Sequence, residues 1–154
     1  MARVDIEMPE AFLLRLSRLA EKTDEIIPRV LQAGSEIVEA KVRSNLSAVI
    51  GKELKGESRT TGELLSALGT SPADVDHDGI HNVKVGFAEP RRKQNDAKGK
   101  RSYYARTNAM IANVLEYGKS GQPARPFLKP AKSATKKPCE EAMKAAFEKE
   151  VESI

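Results

Sequence analysis

Apolar and polar residues along the chain alternate with two periods, and the period-of-two stretches are short. Val4, Ile6 and Met8 alternate with Asp5 and Glu7, which predicts a brief strand. Pro9 suits the first turn of a helix, and Phe12, Leu13, Leu16, Leu19 and Ala20 then share one face opposite Arg15, Arg18, Glu21 and Lys22. Thr23 or Asp24 reads as the cap of a second, longer helix over 24–50, with Pro28 near its first turn. The seam of that helix is Ile27, Val30, Leu31, Gly34, Ile37, Val38, Val42, Leu46 and Val49, suited to a sheet, a neighbouring subunit or both. From 51 to 61 lysine, glycine and serine follow without a period, and a mobile loop is expected near 51–60. Thr61 then caps a short helix holding Leu64, Leu65 and Leu68, closed by Gly69.

The second half repeats the alternation on a smaller scale. Val83, Val85 and Phe87 predict one strand over His81–Phe87, ended by Glu89-Pro90, with a return strand over Ser102–Arg106. Asn108 reads as the cap of a helix from Ala109 to Glu116, with Met110, Ile111, Val114 and Leu115 inward. Ala131 to Lys137 has weak helical character, Pro138 should break or kink it, and Cys139, Ala142, Met143, Ala146, Phe147 and Val151 repeat at helical spacing. The fold expected is α+β: a single domain over 1–154, with a small antiparallel sheet packed against the long helix and the C-terminal helix.

Composition narrows the class. At 154 residues one domain can bury a core without disulfides, and a 5% aromatic share without Trp suits a helix-rich chain. Lys and Arg exceed Asp and Glu by only 26 to 22, so the position of the charge matters more than its size. Arg91, Arg92, Lys93, Lys98, Lys100 and Arg101 crowd a segment with one acid and nothing large to bury. A mobile loop is expected near 88–102, either a solvated basic tip or a nonspecific contact to DNA phosphates or an acidic partner. Cys139 alone offers no disulfide framework, and neither a membrane-length apolar run nor a secretory core is visible, which points to a cytoplasmic protein.

Candidate chemistry is sparse. Asp74, Asp76 and Asp78 before Gly79 imitate the start of a calcium loop, but the twelfth position is Val85 and the flank reads as a strand. His77 and His81 share no helical face across Gly79, and both read as solvated loop residues. No phosphate-binding glycine loop, nucleophile elbow or metal motif is present, so no cofactor, metal or catalytic residue is expected and an enzyme is not.

The most constrained stretch is Val114 to Ala131, VLEYGKSGQPARPFLKPA. Gly118 can end a helix in the left-handed conformation, and Pro123, Pro126 and Pro130 stiffen the residues after it, with Phe127 and Leu128 as anchors. Read from composition, it is a rigid connector packed on its own core.

Glu-Tyr-Gly, a short polar loop and PARPFLKPA together resemble the signature of a bacteriophage tail-component family. Its type member is the tenth gene product of a lambdoid long-tailed phage, related to tail-completion and head–tail joining proteins. Thr61-Gly62-Glu63-Leu64-Leu65-Ser66 nearly reproduces that family's upstream Thr-Gly-x-Leu-x-x-Ser segment. Val83-Lys84-Val85-Gly86 and Tyr104-Ala105 follow in its order; the basic insertion at 88–102 and Pro138 depart from it. The resemblance, over roughly residues 4 to 150, implies a structural tail or neck protein at or near the head–tail joint, with other phage tail or neck proteins as partners. It implies assembly in the host cytoplasm and then residence in the virion. It also implies a homo-oligomeric ring, for which related proteins suggest a hexamer. Glu116, Tyr117, Gly118, Arg125, Pro126, Phe127 and Leu128 are then expected at a subunit or partner interface. The competing reading is a small nucleic-acid-binding module using 91–101; an accessory toxin-type or hydrolytic protein stands third. A loop with charge but nothing to bury should be the first site nicked by trypsin, and strong protection of Arg91 to Arg101 would count against that.

Overall fold

The computed structural model describes residues 9–50, 62–89 and 107–154. The expected strand over 4–8, the loop near 51–60, the Thr61 cap, the basic segment and the return strand over 102–106 lie outside them wholly or almost so.

Helix α1 runs unbroken from Glu10 to Val49, 40 residues, or about 60 Å at ideal rise. It replaces the two helices expected on either side of Thr23. Thr23 does not cap a second helix; its hydroxyl donates back to the Leu19 carbonyl at 2.9 Å, inside the same helix. Pro28 stands in the interior rather than near a first turn, and lacking an N–H it leaves the Asp24 carbonyl without its helical donor. Burial on both sides of it, at Ile26 and then at Gly34, Ser35, Val42 and Leu46, keeps the helix whole. Propensity is overridden by packing here.

The cover over that face is α4, Leu128–Glu152, which lies antiparallel to α1. Asn45 reaches the start of α4 and Arg29 pairs with Glu150 near its end, at 2.9 Å. The two helices pack tightly at Gly34, where an added Cβ would stand 2.7 Å from Met143 Cγ and 2.9 Å from Cys139 Sγ. Cys139 is therefore a half-buried packing residue. Pro138 falls inside α4 and does not end it, so of the break or kink expected there the break does not occur. The run from Ala131 to Lys137 and the terminal helix are one element.

Between these helices in sequence lies a short α2, Glu63–Ala67, preceded by Gly62 in the left-handed region. It passes directly into strand β1, Leu68–Thr70, so Gly69 is a strand residue and not a helix stop. The expected single strand over 81–87 is two pieces, β3 (His81–Asn82) and β4 (Val85–Phe87), and β2 (Asp74–Val75) precedes them. β1 pairs antiparallel with β4, Leu68 opposite Phe87 and Thr70 opposite Val85; β2 pairs with β3, Asp74 opposite Asn82. Ser71 prolongs the first ladder, its N–H donating to the Lys84 carbonyl at 2.7 Å. The Lys84 N–H goes to the Ser71 hydroxyl at 2.9 Å, and the second pairing begins at Asp74 opposite Asn82, after Pro72, which has no N–H to offer a ladder.

Two polar side chains of α1 hold this ribbon. Arg43 donates to the carbonyls of Leu65 (3.1 Å) and Leu68 (2.8 Å), satisfying the end of α2, and pairs with Glu39 at 2.8 Å. Glu39 in turn accepts the Thr70 hydroxyl at 2.6 Å. That hydrogen bond, then the one from Arg43, hold the Glu39 carboxyl below its ordinary value.

Helix α3, Asn108–Tyr117, closes the core. Its cap is Thr107, whose hydroxyl accepts the Met110 N–H at 3.1 Å, one residue before the cap expected at Asn108. Asn108 is instead buried, donating to the Ala88 carbonyl at 2.8 Å. The core comprises Val42, Leu46, Leu64, Leu68, Ala112, Phe127 and Ala131. Phe127 is wholly buried and meets Phe87 edge-on, ring centroids 6.2 Å apart. Phe127→Ala should therefore cost about 3–5 kcal/mol, read from urea unfolding midpoints; a wild-type midpoint would contradict this packing.

Candidate functional site

The stretch from Glu116 to Lys129 folds back on itself and is held at both ends. Helix α3 stops at Gly118, whose N–H still bonds the Val114 carbonyl at 2.9 Å and whose φ is +75°. Any other residue would be strained there, and its Cβ would lie 2.8 Å from the Ala124 nitrogen and 2.9 Å from the Gln122 oxygen. Lys119 and Gln122 exchange backbone bonds at 3.0 and 2.9 Å around Ser120-Gly121. The chain then returns, and the Arg125 N–H donates to the Leu115 carbonyl at 2.7 Å. The connector is a closed loop whose two ends are stitched together.

What fixes its exit is the carboxylate of Glu116, which is buried, with 4% of its surface exposed. One oxygen accepts the N–H groups of Phe127 and Leu128, both at 2.8 Å, and the other accepts that of Lys129 at 2.9 Å. These are the unsatisfied donors at the start of α4, whose cap residue Phe127 has no side-chain bond to give. Pro130 has no N–H, and Ala131 already donates to the Phe127 carbonyl. Every donor of the first turn is thus accounted for. The arrangement does what a capping residue does, from eleven residues upstream in sequence.

Burial pushes the Glu116 carboxyl upward, but the amides of Leu128, Phe127 and Lys129, with the Lys129 charge, more than offset it and leave the group below its ordinary value. Asn45 on α1 completes the site, its amide donating to the Phe127 carbonyl at 3.1 Å. No local pattern announces Asn45, since its partner lies 82 residues away.

The residues expected at an interface divide by exposure. Glu116 and Phe127 are turned into the protomer's own interior. Gly118, Arg125 and Leu128 are half-buried, whereas Pro126 is exposed and Tyr117 keeps 73% of its surface. Met110, 53% exposed, lies two turns earlier on the Tyr117 side of α3. The loop residues Arg91, Arg92, Lys93, Lys98, Lys100 and Arg101 lie outside the described residues.

The aspartate run is a hairpin turn. Asp76 Oδ1 accepts the N–H groups of Asp78 (3.0 Å) and Ile80 (2.9 Å), and Gly79 takes φ +79°. Val85, the twelfth position of the calcium-loop reading, belongs to β4. His77 is exposed at the tip, while His81 is mostly covered, its Nε2 3.5 Å from Asp24. Among the described residues no group of three or more His, Cys, Asp or Glu is placed to hold a metal ion. Nor is any described helix long and apolar enough to cross a membrane.

Compared with known proteins, residues 10–118 match one family model, described as "Bacteriophage HK97-gp10, putative tail-component". The match takes in α1 to α3 and ends at Gly118, so the PARPFLKPA stretch lies beyond it. Neither the curated proteins nor the solved structures contain a match.

Replacing Glu116 tests the capping assignment. Glu116→Gln keeps the shape but not the charge, and should cost about 1.5–3 kcal/mol at neutral pH. A carboxyl lowered by folding stabilises fully above its unfolded value of about 4.3, and that contribution fades as pH falls through the folded value. Urea unfolding of both proteins from pH 7 to pH 3 should show the gap narrowing only at the acid end. Parallel curves would contradict the assignment.

Proposed function

The chain belongs to the HK97-gp10 family of bacteriophage tail components, and from that membership we propose a structural protein acting at or near the head–tail joint, assembled into a ring. The family match over most of the chain is the observation that carries this reading. The connector geometry supports it. A loop closed at both ends and anchored by a buried Phe127 loses little entropy on docking, so an exposed side chain beside it makes an efficient contact. Tyr117 is that side chain, and the backbone of Arg125, bonded to the Leu115 carbonyl, brings the far arm of the loop back to the same turn of α3. On this reading Glu116 and Phe127 serve the interface indirectly, by holding the loop in place. The role is structural rather than catalytic, its partners are other tail or neck proteins, and the protein passes from the host cytoplasm to the virion.

Tail joining is the test. Tyr117→Ala and Arg125→Glu proteins should keep wild-type circular dichroism and unfolding midpoints, yet lower the yield of joined particles by roughly tenfold or more when they replace the wild type in a producing phage. Normal particle yield from both variants would overturn the placement of the interface.

A further inference from the structure

The charges of α4 are arranged against the helix's own dipole. Its first ten residues, 128–137, carry four lysines and no acid; its last fifteen, 138–152, carry five glutamates and two lysines. A helix is stabilised by acids at its start and bases at its end, so this order costs α4 stability. The borrowed carboxylate of Glu116 offsets that at the N-terminus. Lys129, Lys132 and Lys136, at i, i+3 and i+7, make one exposed stripe, and Glu141, Glu148 and Glu152, at i, i+7 and i+11, make another. At 100° per residue the stripes point to nearly opposite sides of the helix. None of Lys132, Lys136, Glu141, Glu148 and Glu152 has an ion pair with the described residues.

One further element adds to the acidic end. Arg29–Glu150 and Asn45–Phe127 place the acidic end of α4 beside the middle of α1 and its basic end beside the last turn of α1. The hairpin turn with Asp74, Asp76 and Asp78 lies at the acidic end, since His81 and Asp24 hold it there. Each end also exposes apolar side chains: Val75, Ile80 and Phe147 at the acidic one, Met110 and Tyr117 at the basic one.

We propose that the occupant of each end is a second copy of this chain, the lysine stripe of one protomer docking on the glutamate stripe of the next. Two different surfaces at opposite ends make a head-to-tail contact, the kind that builds a ring when the rotation closes. The inference deepens the ring reading above and rests on it. Opposed charges set the register and the rate of docking, and the exposed apolar side chains add the area.

A charge swap decides it. Lys132→Glu/Lys136→Glu and Glu148→Lys/Glu152→Lys are both exposed changes that should fold as the wild type does. By analytical ultracentrifugation the wild type should self-associate at high concentration. That association should weaken from about 0.1 M to about 1 M salt, as the screening length falls from about 10 Å to about 3 Å. Each variant alone should associate roughly tenfold more weakly or less, and an equimolar mixture should recover the wild-type behaviour, because the altered stripes are again opposite in sign. A wild type that stays monomeric at every concentration and salt, variants that associate normally, or a mixture that fails to recover would each overturn the proposal. So would retained association with loss of DNA binding in the lysine variant, which would assign the stripe to nucleic acid. Normal tail joining by both charge variants, beside failure of the Tyr117 and Arg125 variants, would remove this contact and leave the tail role standing.

Discussion

Three backbone N–H groups at the start of a 25-residue helix converge on one buried carboxylate, and the architecture follows from that convergence. Without Glu116, α4 would begin with uncapped donors, a lysine in its first turn and no acid of its own. An unpaired donor out of water costs about 1–3 kcal/mol, so the start of α4 would either fray or move outward. Phe127 would move with it, and Phe127 is the side chain through which α4, the β1–β4 ribbon and α1 share one core. A single interaction between α3 and α4 therefore fixes the connector, the anchor and the long antiparallel packing against α1.

That dependence explains why the segment is irregular and yet rigid. Gly118 is needed because the returning backbone at Gln122 and Ala124 leaves no room for a Cβ. The prolines cost nothing, because the loop asks no N–H of Pro123, Pro126 or Pro130; Pro130 falls where α4 would have a surplus donor. Such a loop presents Tyr117 from a fixed base. For a protein of a tail-component family, rigidity beside an exposed aromatic is a more useful property than a pocket.

Much of the frame is legible in the residue pattern. The seam through Gly34, Val42 and Leu46 announces the long helix, and Ala142, Met143 and Ala146 announce its partner. The failures share one cause: burial overrules local stop and start signals. Thr23, Pro28 and Pro138 look like boundaries, but continuous packing of α1 on α4 outweighs a lost hydrogen bond at each proline. Gly69 looks like a helix end because strand pairing with Gly86 cannot be read from either neighbourhood alone. Within the candidate site, Phe127 is legible as the anchor of the connector. The reach of Glu116 across the loop and of Asn45 from α1 is not, since a cap supplied by another element leaves no signature at the helix it caps.

The direct test is a pH titration followed by nuclear magnetic resonance of the backbone amides. If Glu116 caps α4, the amide protons of Phe127, Leu128 and Lys129 should lie downfield as charge-assisted donors do. All three should shift together with the Glu116 carboxyl, at a pH below the ordinary carboxylate range. Amides that titrate separately, or a Glu116 carboxyl at or above its ordinary value, would contradict the account.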